Sequence, residues 1–229
     1  MKILFFIPAR GGSKSLRLKN LSKIGDMTLI EHIARKLEGL DRVDCVCSTD
    51  NEDIEAEARR LGLSVDKRKE ELSRDESNVA DVVIDYLDRS TRAYEAVVLL
   101  QPTSPFVTRD NIDDVVKRLG SDKSLASVQT IREVPHCCHG LNQRTVNDEG
   151  MVIFTHKEER VKAYNKQLKK KQYIFGNVVI VRVSELTAGK GFFAEPSFGI
   201  ESGWISCIDV DGQEELVLAN ALWNGGLVR

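Results

Sequence analysis

The chain has 229 residues, 41% of them hydrophobic and 30% charged, which predicts one folded domain or a domain with an appended arm. Its 33 Lys and Arg against 35 Asp and Glu leave a formal net charge of −2. That balance argues against a nucleic-acid binder, while a local cluster of cations still suits a small anion.

Five cysteines (Cys45, Cys47, Cys137, Cys138 and Cys207) make an odd number. The apolar run from Ile3 to Ala9 is interrupted by Pro8 and followed by Arg10, so it is too short for a signal or membrane segment. The thiols are therefore expected to be reduced, and the compartment to be the cytoplasm. Asn20-Leu21-Ser22 fits a glycosylation sequon but carries no meaning without export.

In chain order, Ile3 to Ala9 reads as a buried strand and Leu29 to Leu37 as a helix with residues 29, 30, 33, 34 and 37 on one apolar face. Val43 to Thr49 is a second strand, and Asp50 and Asn51 offer N-caps for a helix running to about Leu61. Leu63 to Val65 is a short third strand, Val79 to Leu87 a helix, Ala96 to Leu100 a continuous apolar strand, Asn111 to Leu119 a helix and Ser124 to Ile131 a strand. The polar, Lys-rich stretch 135–172 has little periodicity and reads as an inserted arm of one domain spanning 1–229. Tyr173 to Val183 and Ile205 to Val210 read as strands, and Gln213 to Leu222 as a closing helix.

Alternating strands and helices predict a parallel sheet covered on both faces, with ligands bound beyond the carboxyl ends of its strands. The segment after the first strand is the strongest functional signal. It contains Gly11, Gly12, four cations (Arg10, Lys14, Arg17 and Lys19), Ser13 and Asn20. Backbone amides and mobile cations without bulk are what a triphosphate requires. The spacing fits neither a Walker A loop nor a dinucleotide fingerprint. Near the other end, Asp209 and Asp211 flank Val210 at the end of the expected strand, where alternation puts both carboxylates on one face. Such a pair suits a hard divalent cation such as Mg²⁺. A pair of surface aspartates in a turn before Gly212 is the alternative.

Ala-Arg-Gly-Gly-Ser-Lys at 9–14 followed by Lys19-Asn20 resembles the signature loop of the acylneuraminate cytidylyltransferases, also called CMP-sialic acid synthetases. Ser48-Thr49-Asp50, Leu99 to Pro105 and Ile208 to Asp211 resemble further segments of that family in the same order. The resemblance implies a three-layer Rossmann-like α/β fold with a mostly parallel sheet and an arm through which two copies dimerise. It implies transfer of CMP from CTP to the anomeric hydroxyl of a keto sugar acid, with Mg²⁺ as cofactor.

On that resemblance Arg10, Lys19, Asp209 and Asp211 are catalytic, and Asp209 and Asp211 hold the metal. Ala9 to Ser13, Lys19, Asn20, Arg68, Ser77 and Asn78 bind the nucleotide. Gln101, Asn177, Phe192 and Phe193 bind the acceptor, with core packing the equal alternative for the two phenylalanines. The chain departs from the family pattern at Val79, where a base-contacting serine is common. It also departs at Val178, and between Tyr173 and Gly176, which lack an upstream arginine.

The run Lys162 to Lys171 reads as a solvated helix face, or as a source of a cation that reaches the acceptor carboxylate across a dimer interface. His136-Cys137-Cys138-His139 lacks a second Cys or His pair at zinc-finger spacing, and a histidine of the substrate arm is the better reading. An octulosonic, legionaminic or pseudaminic acid acceptor, or nucleotide binding without catalysis, are the competing readings.

Overall fold

The computed structural model describes residues 1–13, 15–41 and 44–228. Lys14 and Val43 lie outside the described residues. The strands are β1 (Ile3–Pro8), β2 (Lys23–Ile24), β3 (Met27–Thr28), β4 (Cys45–Thr49), β5 (Ser64–Lys67), β6 (Ala96–Leu100), β7 (Ser127–Glu133), β8 (Arg144–Val146), β9 (Val152–Phe154), β10 (Tyr173–Arg182) and β11 (Ser197–Glu201). The helices are α1 (Leu29–Lys36), α2 (Glu52–Arg60), α3 (Val79–Arg89), α4 (Arg109–Ser121), α5 (Lys157–Lys162), α6 (Val183–Glu185) and α7 (Gln213–Asn224).

Seven strands form the central sheet in the order β11-β7-β10-β6-β1-β4-β5. β10 runs antiparallel to β6 and β7, while the remaining pairings are parallel. Residue alternation in β1 makes the three layers. Phe5 and Ile7 join one core with Ile30 and Ile33 of α1, Ile54 of α2 and Ile112 and Val115 of α4. Leu4 and Phe6 join the other core with Val82 and Val83 of α3 and Leu186. A third cluster joins Ile24, Leu29 and Phe106 to Ile208, Val210, Ala219 and Leu222. It fastens α7 against the β2–β3 ribbon and brings the chain's end to its beginning. Asn220 completes this union by accepting from the Gly25 amide and donating to the Lys23 carbonyl, both at 3.1 Å.

Helix starts follow local chemistry. Asn51 caps α2, Asn78 caps α3, and Thr108 and Asn111 form a reciprocal box at α4. Asp50 is not a cap. Its Oδ1 accepts from the Gly11 amide at 2.7 Å.

Two expectations need correction in the second half. Ile205 to Val210 is not a strand. Ile205–Cys207 is a 3-10 turn, and the extended residues after it lie outside the sheet. Both sides of β6 are already filled by β1 and β10, so this segment crosses the strand ends instead. Conversely, Ser197–Glu201 forms the edge strand β11, parallel to β7. Between β7 and β10 the chain leaves the sheet and builds the β8–β9 hairpin and α5. There Arg144 and Arg160 stack on Phe154, with guanidinium carbons 4.5 and 4.1 Å from the ring centre. The Lys-rich run is α-helical only to Lys162, with a 3-10 turn at Lys166–Leu168. Beyond it Lys169 donates to Asn142 and Lys171 pairs with Glu133.

Candidate functional site

The carboxyl ends of β1, β5 and β6 open into a cleft of about 310 Å³. Because β10 is antiparallel, its amino-terminal end reaches the same edge and contributes to a second cavity of about 460 Å³. Val79, Gln101 and Asp209 line both.

The first cleft gathers Arg10, Gly12, Ser13, Lys19 and Asn20 from the N-terminal loop, with Arg68, Arg74, Asp75, Ser77, Asp209 and Asp211. The buried Asn20 side chain donates to the Arg10 carbonyl at 2.9 Å and folds the loop back on itself. Arg10 pairs with Asp75 at 2.7 Å, and Lys19 pairs with Asp211 at 3.1 Å. Arg10 and Lys19 thus each rest on a carboxylate at the cleft.

Arg68 follows β5. Its amide donates to the Thr49 carbonyl at 2.8 Å, and its guanidinium donates to the Ser48 carbonyl at 3.0 Å. Burial pushes its ionisation below the ordinary arginine range, opposed by the nearby Asp50 and Asp66. Ser48 in turn donates to the buried Asp66 at 2.8 Å, and Arg89 closes the network on the other Asp66 oxygen.

Asp209 and Asp211 are held without a sheet. The Val210 amide donates to the Thr103 carbonyl at 2.7 Å, and the Ser104 hydroxyl donates to Asp209 Oδ1 at 3.2 Å. Val210 is fully buried on the opposite side. Burial raises the Asp209 carboxyl above its ordinary range. The Thr103 hydrogen bond opposes that rise, and repulsion from Asp211 adds to it. A half-buried carboxyl beside a second one is a group that a cation would relieve. Among the described residues no group of three or more His, Cys, Asp or Glu is placed to hold a metal. The pair fits Mg²⁺ only as a partial ligand set, completed by water and phosphate oxygens, which is how that ion ordinarily binds.

A β-bulge brings Asn177 to the second cavity. The β7–β10 register shifts between Phe175 and Val179, and Asn177 takes φ 75°. A Cβ on Gly176 would lie 2.8 Å from the Thr130 carbonyl carbon, so only glycine fits there. The Asn177 side chain donates to the Ile208 carbonyl at 3.4 Å, just before Asp209. Phe192 is a core residue at the cavity wall. Phe193 is half exposed and meets Phe175 edge-on at 5.2 Å.

Three of the expected nucleotide contacts are placed elsewhere. Ala9 is fully buried and its amide donates to Ser48, extending the sheet by one bond. Gly11 does not line the cleft, its amide is taken by Asp50, and a Cβ there would meet that of Asn51 at 2.7 Å. Its glycine therefore serves close packing. Asn78 lines the second cavity and spends its carboxamide oxygen on the α3 cap. Arg74 escaped the sequence reading because it sits in a loop with no periodic signal, whereas Thr103 lies within the Leu99 to Pro105 segment that carries the resemblance. The His136–His139 run gathers no metal set. His139 Nδ1 accepts from the Leu141 amide and Nε2 donates to the Lys170 carbonyl, so both ring nitrogens are already used.

Residues 4–185 match the cytidylyltransferase family. The chain belongs to that family. This cytidylyltransferase is accordingly a nucleotidyltransferase. Over 229 residues it is 31% identical to a CMP-N,N'-diacetyllegionaminic acid synthase of Legionella pneumophila, covering 97% of this chain and 96% of that protein. It is 30% identical over 221 residues to an N-acylneuraminate cytidylyltransferase of Streptococcus agalactiae, covering 95% of this chain and 52% of the longer relative. A CMP:2-keto-3-deoxy-manno-octonic acid synthetase solved with CTP shares the fold, with a TM-score of 0.71 over 99% of this chain and 100% of that one, at 15% identity.

Proposed function

We propose that this cytidylyltransferase joins CMP from CTP to the anomeric hydroxyl of a nine-carbon keto sugar acid of the sialic acid class, releasing pyrophosphate. The observation that carries the reading is that Asp209 lines both cavities, where a nucleotide in the first would meet an acceptor in the second. The match to a legionaminic acid synthase along nearly the whole of both chains favours an acid of that kind within the class.

Arg10 and Lys19 leave their resting carboxylates to hold the triphosphate, and Arg68 and Ser77 face the nucleoside. Gln101, Asn177 and Phe193 orient the acceptor. Its hydroxyl oxygen forms a bond to the α-phosphorus as the bond to the β-phosphate bridging oxygen breaks. The hydroxyl proton passes to solvent, and among the described residues no histidine lines either cavity. No covalent enzyme intermediate is required, and rate comes from positioning and charge neutralisation. Asp209 and Asp211 would hold Mg²⁺, which supplies neutralisation of phosphate charge and acidifies a bound hydroxyl.

The hairpin supports a homodimer through the arm: Val146, Met151, Val152 and Ile153 each expose more than half of their surface. Light scattering on the eluted protein should return twice the chain mass, and a monomer would reject this part of the reading. The cytoplasm suits five cysteines that form no disulfide, and among the described residues no helix is long and apolar enough to cross a membrane.

The deciding experiment is pyrophosphate release with CTP, Mg²⁺ and a panel of nonulosonic and octulosonic acids. Release with one acid, and not with ATP, GTP or UTP, is expected. Binding of CTP without release on any acid would instead favour a non-catalytic nucleotide-binding protein.

A further inference from the structure

Among the described residues, the second cavity has two formally charged lining groups, Asp209 and Lys190. A keto sugar acid carries its carboxylate on the same carbon as the reacting hydroxyl. The carboxylate must therefore enter the cavity that Asp209 borders, among Val79, Ala80, Leu99, Phe175, Phe192 and Phe193, where an unpaired charge is costly. A cation in the same cavity is needed to offset this, and the upstream stretch Tyr173 to Gly176 supplies none.

We infer that Lys190 is the anchor for the acceptor's carboxylate, a role that rests on the function proposed above. Its place on the cavity wall is set by the backbone. It stands at the end of the Leu186–Lys190 turn, between Gly189 at φ 79° and Gly191 at φ 71°. Two consecutive-but-one left-handed residues reverse the chain there and deliver Phe192 and Phe193 to the same cavity. The Lys190 ammonium rests on Glu185 at 2.6 Å, an ion pair whose lysine side chain is half exposed. A pair so open to water has little net strength, so exchanging Glu185 for a substrate carboxylate costs little. The arrangement parallels Arg10 on Asp75 and Lys19 on Asp211, each a cation parked on a carboxylate beside a site for an anion.

The test compares N,N'-diacetyllegionaminic acid and an N-acylneuraminic acid, each as free acid and as methyl ester, with the wild-type protein and the variants Lys190→Ala and Lys190→Arg. For the free acid, Lys190→Ala should raise KM roughly tenfold to a hundredfold, the loss typical of a charge-assisted hydrogen bond. Its KM for CTP and its melting temperature should stay at the wild-type values. Lys190→Arg should recover part of the loss. For the ester, wild type and Lys190→Ala should be alike. An unchanged KM for the free acid in Lys190→Ala, or an equal rise for acid and ester, would overturn the assignment to the carboxylate. Wild-type protein that releases no pyrophosphate with any acid would overturn the proposed function and this assignment with it, whereas an active wild type with an indifferent Lys190 overturns the assignment alone.

Discussion

Lys19 separates catalysis from stability. Its side chain is largely buried along its stem, 16% exposed, and its ammonium meets an Asp211 carboxylate whose side chain is 76% exposed. Lys19→Met keeps the apolar stem packed and removes only the charge. The Asp211 carboxylate left behind is already in water, so losing its partner strands no charge there. The lost pair is of the solvent-exposed kind, about 0–1 kcal/mol, and unfolding by urea should shift by no more than that. The same charge held against a triphosphate acts where negative charge accumulates and is worth about 2.7–4 kcal/mol in the transition state, a fall of roughly 10²- to 10³-fold in kcat. Pyrophosphate release at saturating CTP reads the second quantity, and equilibrium unfolding reads the first. A kcat within tenfold of wild type, or a stability loss that alone accounts for the lost activity, would refute the placement of Lys19 on the phosphates.

Removal of divalent cations with a chelator should abolish pyrophosphate release, and added Mg²⁺ should restore it while leaving Asp209→Asn inactive; full activity in the chelator rejects the metal role of Asp209 and Asp211. Gly176→Ala should cost about 1–3 kcal/mol in urea unfolding, because the new Cβ overlaps Thr130, and should weaken acceptor KM more than CTP KM as Asn177 is displaced. Equal effects on both KM values would reject a bulge that serves the second cavity. His32 sits buried, with Nε2–H donating to the Ile24 carbonyl at 3.1 Å, and burial lowers its pKa from 6.5. The unfolded chain therefore binds the proton more readily, so this contribution to stability is complete above pH 6.5 and is lost as pH falls through the lower folded value. The melting temperature of wild type relative to His32→Gln should fall between about pH 7.5 and 5.5, and a constant difference would refute the reasoning.

Periodic packing is what made the first half of the chain legible. Apolar residues 29, 30, 33, 34 and 37 are all buried as the helical spacing requires, and β6 begins and ends at the residues its apolar run predicts. The loop after β1 was legible for a different reason. A cluster of glycines and cations following a buried strand is a local pattern, and four of its predicted side-chain contributors, Arg10, Ser13, Lys19 and Asn20, do line the first cleft. Gly11 was found for the wrong reason. Its close approach to Asn51, some 40 positions on, has no local mark.

The chain's own residues thus determined the layered α/β class, the helix caps, the loop of cations and the paired carboxylates, because each of these is settled by neighbours in sequence. Only the tertiary structure decided that β10 enters antiparallel between β6 and β7, since strand order depends on contacts far apart along the chain. That choice closes the sheet to Ile208–Val210, leaves the segment lying across the strand ends, and turns Asn177 toward the same edge. The joined cavities with Asp209 between them follow from that one antiparallel insertion, and no local pattern could have announced it.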